Sequence, residues 1–166
     1  MKVECEFLGS RRLSLSHDEF AYAGKFRLPT SKAVARDQEG EIAAALCYDE
    51  DRCSDGVRIR YVTVRDDLRG EGVGPELAEF AADNLLEEYP RVRVSVNNAY
   101  AYVALHRAGF GYTGERGPQD ELVLQRPPPE NDRFQEGLHA LLAIEPGDEE
   151  RRYIRERIDD VSRDTE

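Results

Sequence analysis

The sequence predicts an α/β (α+β) fold: a mixed, mostly antiparallel twisted sheet with helices on both faces. Three observations carry this. Segments of period two rich in Val, Ile and Tyr recur, "VRIRYVTV" at 57–64 and "RVRVSVNN" at 91–98 being the clearest. Apolar residues at helical spacing follow the first of these, at Leu77, Phe80, Ala81 and Leu85. The length, 166 residues, suits one full domain with a proper core and a modest appendage.

In order, residues 3–8 read as a first strand. The stretch 11–30, with "SHDEFAYAGKF" inside it, reads either as a short helix or as an extended loop. Residues 32–50 form a hairpin with its turn at Glu39-Gly40. The strand at 57–64 alternates strictly: Val57, Ile59, Tyr61 and Thr63 face one way, Arg58, Arg60, Val62 and Val64 the other. A helix over 75–88 follows, with Pro75 suited to its first turn. The strand at 91–98 buries Val92, Val94 and Val96, and a helix over 99–108 ends at Gly109, where a C-terminal glycine belongs. Residues 110–115 and 121–126 are a closing pair of strands. "RPPPE" at 126–130 then marks a boundary, dividing the chain into 1–126 and a helical extension, 127–166. The extension holds helices at 131–144 and 148–163, split by Pro146-Gly147.

Composition narrows the function classes. Asp and Glu number 34 against 23 Lys and Arg, a net charge of −11, which argues against nucleic acid as a partner. Lysine is confined to Lys2, Lys25 and Lys32, so arginine supplies nearly all the positive charge. An acidic, lysine-poor chain suits a salt-rich cytoplasm, where screening shrinks the self-repulsion of such a charge. No run of about 18 apolar residues is present to span a membrane, and the N-terminus lacks the apolar core of a signal peptide. Cys5, Cys47 and Cys53 are an odd count without metal-like spacing, so they read as buried or incidental thiols and no metal site is expected.

The stretch "LRGEGVGPEL" at 68–77 is the chemical landmark. A glycine-rich turn between a strand and a helix leaves the first helical amides unpaired and lets an anion approach them. Two familiar phosphate loops do not fit. The glycines are spaced G-x-G-x-G, not G-x-G-x-x-G, and no lysine is nearby for a Walker loop. A tight turn before a helix is the plain structural reading.

Two motifs together resemble the GCN5-related N-acetyltransferase (GNAT) family. The first is "VTVRDDLRGEGVG", which is similar to the family's Arg/Gln-x-x-Gly-x-Gly/Ala loop through Arg69, Gly72 and Gly74. The second is "VNNAYAYVALHRAGFGYTGE", an Asn-led helix closing on Gly-Phe, here Asn98 and Gly109-Phe110. The resemblance implies an acyl-CoA N-acyltransferase-like fold and acetyl-CoA as co-substrate. Its pyrophosphate would lie on the turn of Arg69, Gly70, Glu71, Gly72, Val73 and Gly74, with Glu71 turned to solvent. Val62, Thr63 and Val64 would pair with the pantetheine amides, as a strand added at a sheet edge does, and Asn98 would contact the cofactor where the two strands splay. The reaction implied is acetyl transfer by direct attack of a primary amine, on a small molecule or on a protein N-terminus or lysine.

The chain also departs from the family. The usual proton-donating tyrosine is replaced by Leu105. The candidates nearby are Tyr102, otherwise a core aromatic, and His106, otherwise a surface residue. Arg58 and Arg60 occupy the region where some members carry a basic glutamate; they form either a solvated strand face or a site for a carboxylate-bearing acceptor. Residues 9–31 have little room for the two helices that shape the acceptor groove in the family, so the N-terminal helical region is shortened. The C-terminal helices either close the site or form a solvated tail or homodimer surface. Two functions from different classes follow: a cytoplasmic N-acetyltransferase, or a non-catalytic acyl-CoA-binding sensor or scaffold.

Overall fold

The structure, a computed structural model, describes residues 2–52 and 55–164. Cys53 lies outside the described residues. Among these there are seven strands, mostly antiparallel, and four α-helices. They fall into two compact units, one ending at Arg93 and the other beginning at Val94.

The first unit contains β1 (Glu4–Gly9), β2 (Ser31–Arg36), β3 (Ile42–Glu50) and β4 (Val57–Val64), each antiparallel to the one before it. The hairpin β2–β3 turns where expected. Gly40 takes φ +80°, a region that favours glycine, and Asp37 accepts from the amides of Glu39 and Glu41 at 2.9 and 3.0 Å. The next helix, α1 (Val73–Leu85), packs on all four strands and buries Val73, Leu77, Ala78, Ala81, Ala82 and Leu85.

The helix starts two residues earlier than the sequence predicts. Gly72, at φ +83°, turns the chain directly into it, so Pro75 sits third in the first turn, where its missing amide costs no helical bond.

The stretch 11–30, left open between helix and loop, is an extended segment with a short 3-10 helix, Ala23–Arg27. It covers the sheet through Leu15, Phe20, Ala23 and Phe26, which pack with Val34, Ala45 and Cys47; Tyr61 packs half-buried against the same cluster. Lys32 ties down the end of this segment. It is 0% exposed, and its ammonium donates to the carbonyls of Leu28 and Thr30 at 2.7 and 2.6 Å. That pairing is what makes a buried lysine tolerable.

Strict alternation in β4 is corrected by the structure. Cys47 pairs with Tyr61 but its neighbour Tyr48 pairs with Ile59, so Arg60 is an extra residue in a β-bulge. Cross-strand partners share a face, and the bulge therefore inverts the pattern midway. Val57 and Ile59 share a face with Val62 and Val64, while Arg58 shares one with Tyr61 and Thr63.

The strand β5 (Val92–Val96) crosses from one unit to the other and buries Val92, Val94 and Val96 as expected. In the second unit it leads to α2 (Ala99–Arg107), then to the antiparallel pair β6 (Gly111–Arg116) and β7 (Leu122–Arg126). The helices α3 (Phe134–Ala143) and α4 (Asp148–Asp164) pack on each other and on α2. The end of α2 is a Schellman motif: Gly109 N donates to His106 O, Phe110 N donates to Leu105 O, and Gly109 has φ +96°.

Candidate active site

The glycine turn belongs to the first unit, and its three glycines have two different reasons. Gly70 and Gly72 each have φ +83°, and a Cβ built on either would meet nothing within 4 Å. The turn is therefore held in a conformation suited to glycine, with open space beside it. Gly74 has ordinary helical backbone. A Cβ there would stand 3.0 Å from Val64 Cγ2, so its bare backbone is a condition of packing α1 onto β4.

The donors of the turn also divide. Arg69 N donates to Asp66 O and Glu71 N to Leu68 O, so these two amides close the turn itself. Among the described residues the amides of Gly70, Gly72, Val73 and Gly74 have no backbone acceptor. Gly72 is the N-cap and offers no side chain to satisfy them. Four unpaired donors beside open space form a cradle that an anion fits. The Arg69 side chain is exposed and pairs with Asp66 at 3.0 Å.

Upstream, Val62, Thr63 and Val64 are paired on one side with Leu46, Ala45 and Ala44 of β3. Thr63 is 4% exposed, and among the described residues its hydroxyl has no hydrogen-bond partner. Arg65, which sequence reasoning missed, locks the chain between strand and turn. Its guanidinium donates to Asp67 at 2.7 Å, and to Asp37 and the Ile42 carbonyl at 3.1 Å each. The signal was present as Arg-Asp-Asp directly after the strand, a basic residue followed by two acidic ones, the second of which it pairs with.

Arg58 and Arg60, expected as a site for an acceptor carboxylate, carry carboxylates of their own. Arg60 Nε lies 2.6 Å from Asp49 Oδ1, and Arg58 pairs with the buried Asp51 at 3.5 Å. Both acids come from the end of β3 or just beyond it. Each guanidinium therefore has an acidic partner within the protein.

The remaining candidates lie in the second unit. Asn98 is the N-cap of α2: its Oδ1 accepts from Ala101 N at 2.9 Å. The amide of Ala99 donates to Glu150 Oε1 of α4 at 2.7 Å, a cap contributed from 51 residues away. Tyr102 is 1% exposed and stacks on Phe134 with its ring nearly parallel. Its hydroxyl donates to Phe134 O at 2.7 Å, and burial pushes the phenol far above its usual range. Tyr102, expected as a candidate proton donor, thus has its hydroxyl hydrogen bonded to a backbone carbonyl. His106 is exposed and also stacks on Phe134, 4.1 Å between centroids.

Among the described residues no group of three or more His, Cys, Asp or Glu could hold a metal ion, and no helix is long and apolar enough to cross a membrane.

The chain matches the model of the Acetyltransferase (GNAT) family over residues 3–112. Among curated proteins it has no match. Similar solved structures include nourseothricin acetyltransferase, with 23% identity, a TM-score of 0.47, and 58% of this chain and 62% of that one covered. Another is histone acetyltransferase HPA2 and related acetyltransferase from Corynebacterium glutamicum, with 24% identity, a TM-score of 0.46, and 61% and 66% covered. A third is yncA from Salmonella typhimurium with its cofactor acetyl-CoA, at 17% identity, a TM-score of 0.50, and 58% and 63% covered. The chain spans less than two thirds of the length of each.

Proposed function

The chain belongs to the acetyltransferase (GNAT) family, and from that premise we propose that it transfers an acetyl group from acetyl-CoA to a primary amine by direct attack. One observation carries the proposal: four unpaired backbone amides at the start of α1, beside the open space at Gly70 and Gly72. In this reading those amides receive the pyrophosphate. They are backbone donors, so a net charge of −11 is no obstacle to a polyanionic ligand. The backbone of Val62, Thr63 and Val64 pairs with the pantetheine amides, and Arg65 keeps strand and turn in register for both contacts.

In the reaction a C–N bond forms as the C–S bond of the thioester breaks. An alkyl ammonium, with a pKa of about 10.4, loses a proton, and the thiolate, whose acid has a pKa of about 8.5, gains one. With Tyr102 committed to Phe134, water or the thiolate itself carries that proton. General acid–base help is worth roughly 10²–10⁴-fold, so its absence slows turnover without abolishing it.

The same commitments favour a second reading, a module that binds acyl-CoA without turnover, because Arg58, Arg60 and Tyr102 all have structural partners. Thiol release from acetyl-CoA with a panel of primary amines, in molar KCl, tests the two. Release with an amine supports the enzyme; calorimetric binding of acetyl-CoA without release from any amine supports the module. Tyr102 and its neighbours aside, the acidic, lysine-poor composition supports a salt-rich cytoplasm as the setting.

A further inference from the structure

The segment 11–30 carries a feature that folding alone does not require. Tyr22 has φ +58° and ψ +22°, a left-handed conformation that is costly for a bulky residue, and its side chain is 58% exposed. Strain that leaves a large ring in solvent is not repaid by burial. The Tyr22 ring instead lies 5.3 Å from the ring of Tyr61, and Lys25 Nζ lies 5.6 Å from the centre of that same Tyr61 ring. Tyr61 directly follows the Arg60 bulge and directly precedes Val62. Beside these residues is an open cavity of about 430 Å³, lined by His17, Tyr22, Ala23, Gly24, Lys25 and Leu28. That volume suits a small molecule.

The electrostatics of this cavity run against those of the chain. Acidic residues outnumber basic ones 34 to 23 over the whole sequence, yet among the described residues that line the cavity none is acidic. Lys25 makes no ion pair among the described residues and has only the face of Tyr61 as a partner. Arg58 and Arg60, by contrast, already hold Asp51 and Asp49. Leu28, 50% exposed, adds apolar surface.

We infer that this cavity is the acceptor site, and that it takes a small primary amine bearing a free carboxylate and an apolar body, such as an amino acid. The carboxylate pairs with Lys25, and the apolar body lies against Tyr22 and Leu28. Tyr22 and Lys25 both lie against Tyr61, which adjoins Val62 in β4. The inference rests on the proposed acetyl transfer, which places the thioester along the same strand.

The probes are L-phenylalanine, 3-phenylpropionate and phenethylamine, titrated into the protein without cofactor and followed by ligand-observed NMR. Both carboxylates should bind about fivefold more tightly than phenethylamine, the worth of one exposed charge pair. Lys25→Met should erase the difference, Lys25→Arg should keep it, and Tyr22→Gly, which relieves the strained backbone while removing the ring, should weaken all three. Thermal melts confirm that the variants fold. Equal binding of the three probes, or a preference that survives Lys25→Met, overturns the inference. Calorimetry with acetyl-CoA keeps the two readings apart. Failure to bind acetyl-CoA overturns the transferase, whereas intact acetyl-CoA binding without the carboxylate preference overturns only the acceptor site.

Discussion

Gly74 and Val64 are in contact range across the α1–β4 interface: a methyl group on Gly74 would lie 3.0 Å from Val64 Cγ2. Two residues away, a methyl group on Gly72 would meet nothing. Substitutions at these neighbouring glycines should therefore fail in different ways. Gly74→Ala gains helix propensity but crowds a stiff, β-branched partner, and should cost about 1 kcal/mol of stability while leaving acetyl-CoA affinity nearly unchanged. Gly72→Val fills the open space beside the unpaired amides and strains a left-handed backbone. It should remove most of the affinity. Calorimetry with acetyl-CoA and thermal melts on both variants check the contrast.

Tyr102→Phe deletes only a hydroxyl that donates to Phe134 O. Losing that hydrogen bond should cost about 1 kcal/mol of stability. Turnover per folded molecule should stay within about twofold, since the proton is not available for chemistry. His106→Gln should likewise leave turnover unchanged. A fall of tenfold or more in kcat for Tyr102→Phe, with stability intact, would return the phenol to the reaction.

Asp37 gives an acid-side test. Burial would raise its carboxyl pKa, but the amides of Glu41 and Glu39 and the Arg65 guanidinium outweigh burial and hold it below the ordinary carboxylate range. A depressed folded pKa means that its contribution is complete above the ordinary value of about 3.9 and is lost as pH falls through the lowered one. Asp37→Asn should melt lower than the wild type at neutral pH, and the gap should close as the pH drops below the ordinary carboxylate value. Melting curves across that range measure it.

The net charge of −11 predicts a salt response. If the acidic surface reflects a saline cytoplasm, the melting temperature should climb steeply from dilute buffer to molar KCl. The screening length is only about 3 Å at 1 M, so a rise that continues beyond it would point to ion binding or altered solvation. A flat melting temperature would remove the halophilic reading.

The order of elements and the turn were legible in the sequence because they depend on local pattern. Alternation marked β4 and β5, and Gly109 marked the end of α2. What depended on partners was not legible. "VRIRYVTV" reads as clean period two, yet the bulge at Arg60 is a property of its register with Tyr48 and Cys47. Tyr102 sits at a plausible helical position for a proton donor, but Phe134, which takes its hydrogen, is 32 residues further on. Likewise nothing near Ala99 in the sequence announces Glu150. The stretch 11–30 lacks periodicity because its order comes from single anchors, Phe20, Phe26 and Lys32, and not from a repeating face.

The bulge has a genetic consequence. Loss of the single codon for Arg60 would make β4 regular, since the residue has no register partner on β3. Ile59 and Tyr61 would become neighbours, and Val57 and Ile59 would stay on the face of Val62 and Val64. A one-residue deletion elsewhere in the strand would leave the bulge in place and exchange the two sides of the residues beyond it. Position 60 should therefore accept the loss of its codon, where its neighbours should not.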